Sequence, residues 1–192
     1  MRNLYFILLL ALTLNSCKKE ILITSLPEAT EVGQNSFGFL MEQNVWVPKW
    51  NDKSGWDLGC RELVVSFDLH LNTFQISAGI TYKGKRSDFY MYVDSVSITT
   101  PFTKSAVISL SDSKGLFIKD GGDYSSICGP GSFVSITFTK NDTINKIISG
   151  KFEARLGKTM VTNLDLEDLY PNAPASITLS NGRFDVHYNY CR

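Results

Sequence analysis

Apolar residues recur at every second position through most of this chain, and that period decides what it can fold into. In Leu63-Val64-Val65-Ser66-Phe67-Asp68-Leu69-His70-Leu71 every odd position is apolar and most even ones are polar. Thr73 to Thr81 repeats the pattern in the other phase, with Phe74, Ile76, Ala78 and Ile80 on one face. Side chains of an extended strand point alternately to two faces, so each run reads as a half-buried antiparallel strand. Tyr82-Lys83-Gly84-Lys85 supplies turn chemistry before a further run from Phe89 to Ile98. Val134, Ile136 and Phe138 alternate until Asn141-Asp142-Thr143 breaks the strand, and Ile148, Phe152, Ala154 and Leu156 resume it. Ile177 and Leu179 lie in the opposite phase to Phe184, Val186 and Tyr188, so the register flips at Asn181-Gly182 through a hairpin or a bulge. Helical apolar spacing with caps is not sustained anywhere; Asn163 to Tyr170 reads as a short helix or a hairpin arm. The expectation is an all-β chain: one antiparallel β-sandwich, or open barrel, of about 8–10 strands over residues 36–192.

The first residues obey a different rule. Arg2 and Asn3 precede an apolar run from Leu4 to Leu14, too short for a bilayer span of about 20 residues but of the length of a signal-peptide core. Leu14-Asn15-Ser16-Cys17 then resembles a lipobox, with an apolar residue three before the Cys and a small residue directly before it. The resemblance implies cleavage after Ser16, diacylglycerol on the Cys17 sulfur and a mature anchor of three acyl chains. More than one chain is what stable anchoring requires. Residues 1–16 are then the signal peptide, and residues 17–35 a lipidated N-terminus and passive tether. No Asp follows Cys17, so the outer membrane is expected, with the periplasmic and surface faces both open.

Removal of residues 1–16 takes away one basic side chain and leaves 176 residues with 18 basic and 19 acidic groups. That length suits one domain burying about 70% of its surface. A near-neutral chain without a basic block offers no footprint for nucleic acid. Cys60, Cys128 and Cys191 remain beside Cys17; an exported chain permits one disulfide among them, and their spacing does not choose the pair.

Two groups of motifs frame the body. Phe37-Gly38-Phe39-Leu40 with Val45-Trp46-Val47-Pro48 lies near its start. Ile147-Ile148-Ser149-Gly150-Lys151-Phe152-Glu153-Ala154 and Ile177-Thr178-Leu179-Ser180-Asn181-Gly182-Arg183-Phe184-Asp185-Val186 lie near its end. Together they resemble an uncharacterised family of Bacteroidota lipoproteins. The family's first hairpin carries Asn-Gly where this chain has Gln43-Asn44, and many members carry Cys where Phe39 stands. The resemblance implies a β-rich extracytoplasmic domain and supplies no catalytic residue. Gly150 between Ile148 and Phe152 leaves room for a neighbour across the sheet.

Candidate sites are sparse. His70 and His187 fall on polar strand phases with no second ligand near in sequence, which reads as structural or exposed histidine. Nucleophile-elbow, zinc-protease and phosphate-loop signatures are absent, and no cofactor motif appears. Asp165, Glu167 and Asp168 form an acidic loop of ordinary density, and Asp120-Gly121-Gly122-Asp123 reads as a turn rather than a calcium loop. Trp50 and Trp56 are the candidate glycan platform, with Trp46 read as core and Tyr90 and Tyr92 further off. Ser95 and Thr143, in Asp94-Ser95-Val96 and Asp142-Thr143-Ile144, match a short pattern at which Bacteroidota O-glycosylate exported proteins. The expected protein is a non-enzymatic outer-membrane lipoprotein, a binding or envelope-structural module whose partners are the membrane and a glycan or envelope protein. A hydrolase or inhibitor domain with its site in the central loops is the reading from another class.

Overall fold

The structure, a computed structural model, describes residues 23–48, 63–97, 99–159, 170–188 and 190–191. Among the described residues the chain is all-β, and the strands in order are β1 (Ser36–Met41), β2 (Asn44–Trp46), β3 (Leu63–Asp68), β4 (Thr73–Tyr82), β5 (Lys85–Val93) and β6 (Phe102–Lys104). They continue with β7 (Val107–Ser113), β8 (Gly122–Ser125), β9 (Phe133–Asp142), β10 (Ile147–Lys158), β11 (Ser176–His187) and β12 (Tyr190–Cys191). Twelve strands exceed the number expected because β2, β6, β8 and β12 are two to four residues each. Segments that short are too brief to display an alternation.

All pairings are antiparallel and form two halves, β6-β9-β10-β11-β1-β2 and β12-β3-β4-β5-β7-β8. They join because β10 spends one edge on two partners: β9 along Ile147 to Arg155, then β8 at Gly157 and Lys158. The hydrogen-bonded path ends at β2 and β12, so the sheet does not close into a barrel.

The halves face each other through aromatic rings. Phe74 of β4 lies 5.7 Å from Phe138 of β9 and 5.4 Å from Phe184 of β11. Phe89 of β5 lies 5.0 Å from Phe37, 5.1 Å from Phe39 and 5.8 Å from Phe152. These spacings are those of favourable tilted and edge contacts, and full burial of each ring stabilises the fold by about 1.5–3 kcal/mol. Trp46 is fully buried, as its place in an alternating strand predicts, and its indole N–H donates to the buried Ser87 Oγ of β5 at 3.0 Å.

Turn chemistry sets the registers. Lys83 and Gly84 join β4 to β5 with φ of 50° and 73°, and Glu42 and Gln43 join β1 to β2 with φ of 46° and 73°. Two successive positive φ values give the turn whose twist matches a hairpin; the first turn sits one residue earlier than Gln43-Asn44. At Asn181-Gly182 the chain does not reverse. β11 runs through, and Ser180 to Arg183 spans the same length as Leu40 to Gly38 on β1, so β11 carries an extra residue, with Asn181 at φ 52°. The flip is therefore a bulge.

Of the passive tether expected over residues 17–35, the stretch 27–35 is corrected, and residues 17–22 lie outside the described residues. Arg183 donates to the Pro27 carbonyl at 3.0 Å, Lys140 to the Glu31 carbonyl at 2.8 Å, and the His187 amide to Asn35 Oδ1 at 2.9 Å. Residues 27–35 form a strap laid on the outer face of β11. It escapes period-two reading because side chains, rather than strand pairing, hold it.

Candidate functional site

The family-like motifs explain each other once paired. Gly150-Lys151-Phe152 on β10 lies antiparallel to Gly182-Arg183-Phe184 on β11, so Gly150 faces Phe184, Lys151 faces Arg183 and Phe152 faces Gly182. On the inner side each ring occupies the space that the opposite glycine leaves. A Cβ at Gly150 would stand 2.5 Å from Phe184 Cζ, and one at Gly182 would stand 2.6 Å from Phe152 Cδ1. The alternation then forces both central cations onto the outer face.

That outer face is concave. A cavity of about 390 Å³ is lined by Ser135 and Thr137 of β9, Lys151 and Glu153 of β10, Asn181 and Arg183 of β11, and Ala29 of the strap. An annex of about 130 Å³ continues past Lys151 and Arg183 to Thr139, Glu28, Glu31 and Asp185. Bulges flank the cation pair on both neighbours: β9 shifts register between Ser149 and Gly150 of β10, and β11 shifts at Asn181. Bulges bend and twist a strand and re-aim its side chains, and here they curve the floor beneath the strap.

Asp185 builds the wall. Its carboxylate accepts from the Thr30 hydroxyl, from the amides of Val32, Gly33 and Gln34 at 3.2, 2.8 and 3.1 Å, and from Ser149 Oγ at 2.8 Å. Burial by itself raises this carboxyl's pKa. The hydrogen bonds of Thr30, Gln34, Ser149 and Gly33 to the charged form outweigh burial and hold it below the usual carboxylate value. The strap is thus fastened by an ionised side chain that is 2% exposed. Asp185 is buried on β11 only because the strap covers it, and that cover leaves no local pattern in the sequence.

A second buried carboxylate organises a loop. Asp112 follows Ile108 and Leu110 on the inner phase of β7 and accepts the amides of Leu116, Phe117 and Ile118 at 3.0, 2.9 and 2.6 Å. Burial pushes its pKa up, and those hydrogen bonds offset part of the rise.

The residues singled out from sequence are scattered. His70 is exposed in the β3–β4 turn, where Asp68 accepts its amide at 2.8 Å, while His187 is half-buried beside the strap. Asp120 is exposed with φ 65°, and Asp123 pairs with Ser111 in the β7–β8 ladder. Ser95 and Thr143 are exposed on turns. Trp46 lies in the core, whereas Tyr90 and Tyr92 occupy the outer phase of β5, so these three build no common platform. Trp50, Trp56, Cys17, Cys60, Asp165, Glu167 and Asp168 lie outside the described residues. Cys128 is half-buried and free, and of the disulfide expected among Cys60, Cys128 and Cys191 the Cys60 member lies outside the described residues. Among the described residues no group of three His, Cys, Asp or Glu side chains could hold a metal.

No family model, curated protein or solved structure matches this chain. The groove's main chamber offers two cationic donors, the Glu153 carboxylate and a row of hydroxyls over a strand floor, and its annex adds the carboxylates of Glu28, Glu31 and Asp185.

Proposed function

We propose that this protein is an outer-membrane lipoprotein of the Bacteroidota type, a non-catalytic binding or envelope-structural module held by acyl chains on Cys17. The resemblance of Leu14-Asn15-Ser16-Cys17 to a lipobox and of the framing motifs to that lipoprotein family supports this reading. The single structural observation that carries it is the strap. Pro27, the first strap residue fastened to the body, comes ten residues after Cys17. An extended chain covers at most about 3.6 Å per residue, so an anchor at Cys17 keeps the point where Pro27 meets the sandwich within about 36 Å of the lipid surface. A fold fastened so close to its own anchor suits a module that presents a surface near the membrane.

Fractionation of the native host tests it. Cys17→Ala should move the protein from the membrane fraction to the soluble fraction with its β-sheet circular dichroism unchanged. A Cys17→Ala protein that still sediments with membranes refutes lipid anchoring. Protease shaving of intact cells separates the two faces: loss of the protein means surface display, and protection means the periplasmic side.

A further inference from the structure

The paired triplets set Lys151 and Arg183 directly opposite one another on the groove floor. Like charges in that position destabilise a sheet, and neither side chain meets a carboxylate among the described residues. Lys151 makes no hydrogen bond there and is exposed, so folding gains nothing from its charge. Arg183, by contrast, is oriented. Its Nη1 donates to the Pro27 carbonyl at 3.0 Å and its Nε to the Asn181 carbonyl at 3.4 Å. Two of the five guanidinium N–H donors are thereby used, and about three remain for a planar oxyanion.

We propose that this groove binds a saccharide carrying one acidic group, with the carboxylate between Lys151 and Arg183 and the hydroxyls along Ser135, Thr137 and Asn181. The volume of about 390 Å³ falls in the range of small-molecule sites, roughly 300–1,000 Å³. The main chamber holds two cations against the one carboxylate of Glu153, so it favours an anion. The annex beyond is acidic, with Glu28, Glu31 and Asp185. A second anionic unit is repelled there, which selects a single acid group over a polyanion. The chamber's other groups are hydroxyl and amide partners for sugar hydroxyls. This inference rests on the reading of the domain as a binding module and assigns its ligand class and site.

The test is calorimetric titration of the purified protein with glucuronic-, galacturonic- and sialic-acid-terminated oligosaccharides, each beside its neutral counterpart. At least one acidic member should bind ten-fold or more tighter than its neutral partner. Lys151→Met should reduce that preference to under two-fold without moving the melting temperature. Equal affinity for acidic and neutral members, an unaltered preference in Lys151→Met, or no saturable binding each overturns the proposal. Inorganic phosphate binding as tightly as the best acidic sugar overturns it too, because the groove would then read charge alone. None of these results bears on Cys17→Ala fractionation, so the groove and the anchor fail separately.

Discussion

Substitution of Gly150 by Ala tests whether the reciprocal glycine–phenylalanine pairing holds this part of the sandwich. The new Cβ would meet Phe184 Cζ at 2.5 Å and the Thr137 carbonyl oxygen at 2.6 Å, about 1 Å inside ordinary carbon contact. Neither neighbour yields easily. Phe184 is held by Phe74 and Phe138, with ring centroids at 5.4 and 5.6 Å, and Thr137 belongs to the β9–β10 ladder. Overpacking of this kind costs about 1–3 kcal/mol, and a clash with backbone as well as side chain belongs at the upper end. Against it, Ala gains about 0.5–1 kcal/mol over Gly in a strand interior. The net loss is then about 2 kcal/mol, and at about 2–4 °C per kcal/mol for a chain of this length the melting midpoint should fall by roughly 4–8 °C. Paired thermal and urea denaturation measures it, with Lys151→Ala, one residue away on the outer face, as a control expected within about 0.5 kcal/mol of wild type. Phe184→Leu removes the ring atoms nearest the new methyl, so the double variant should be less destabilised than the sum of the singles. A Gly150→Ala protein as stable as wild type, or strict additivity with Phe184→Leu, refutes the pairing argument.

Ser87→Ala should cost about 1–3 kcal/mol, because it leaves the fully buried Trp46 indole N–H without its acceptor; urea midpoints at constant slope check this, and an unchanged midpoint would refute it. Asp185→Asn should destabilise by more than about 2 kcal/mol at neutral pH by weakening several hydrogen bonds to one carboxylate. Since the folded pKa of Asp185 lies below its unfolded value, its contribution is present above the unfolded pKa and lost as pH falls through the folded one. The gap between wild type and Asp185→Asn should therefore narrow below about pH 4; a gap that is flat or widens in acid would refute the assignment. Asp112, shifted the other way, is common to both proteins and drops out of that difference.

The parts of this molecule that were legible in advance are those whose cause is local. Alternation from Leu63, Thr73 and Ile148 located β3, β4 and β10, and the phase flip at Asn181 marked a real irregularity. What the flip meant depended on partners: β1 on one side and β10 on the other keep β11 extended, so the chain bulges where an isolated Asn-Gly would turn. Asp112 occupies a core-facing phase that a pattern reader assigns to an apolar residue, and only the loop amides that fold back onto it make it tolerable. The groove was hidden for the same reason. Lys151 and Arg183 stand 32 residues apart in sequence and become neighbours only through the β10–β11 register.

The strap also fixes how the body would carry load. A pull applied at the N-terminal end meets Arg183 on the Pro27 carbonyl first, then the cluster of donors on Asp185, and only afterwards the β1–β11 ladder. Tension would enter the sandwich through the interior strand β11, shared among several side-chain hydrogen bonds. The same strap carries Ala29, which lines the groove, so its displacement would open that wall.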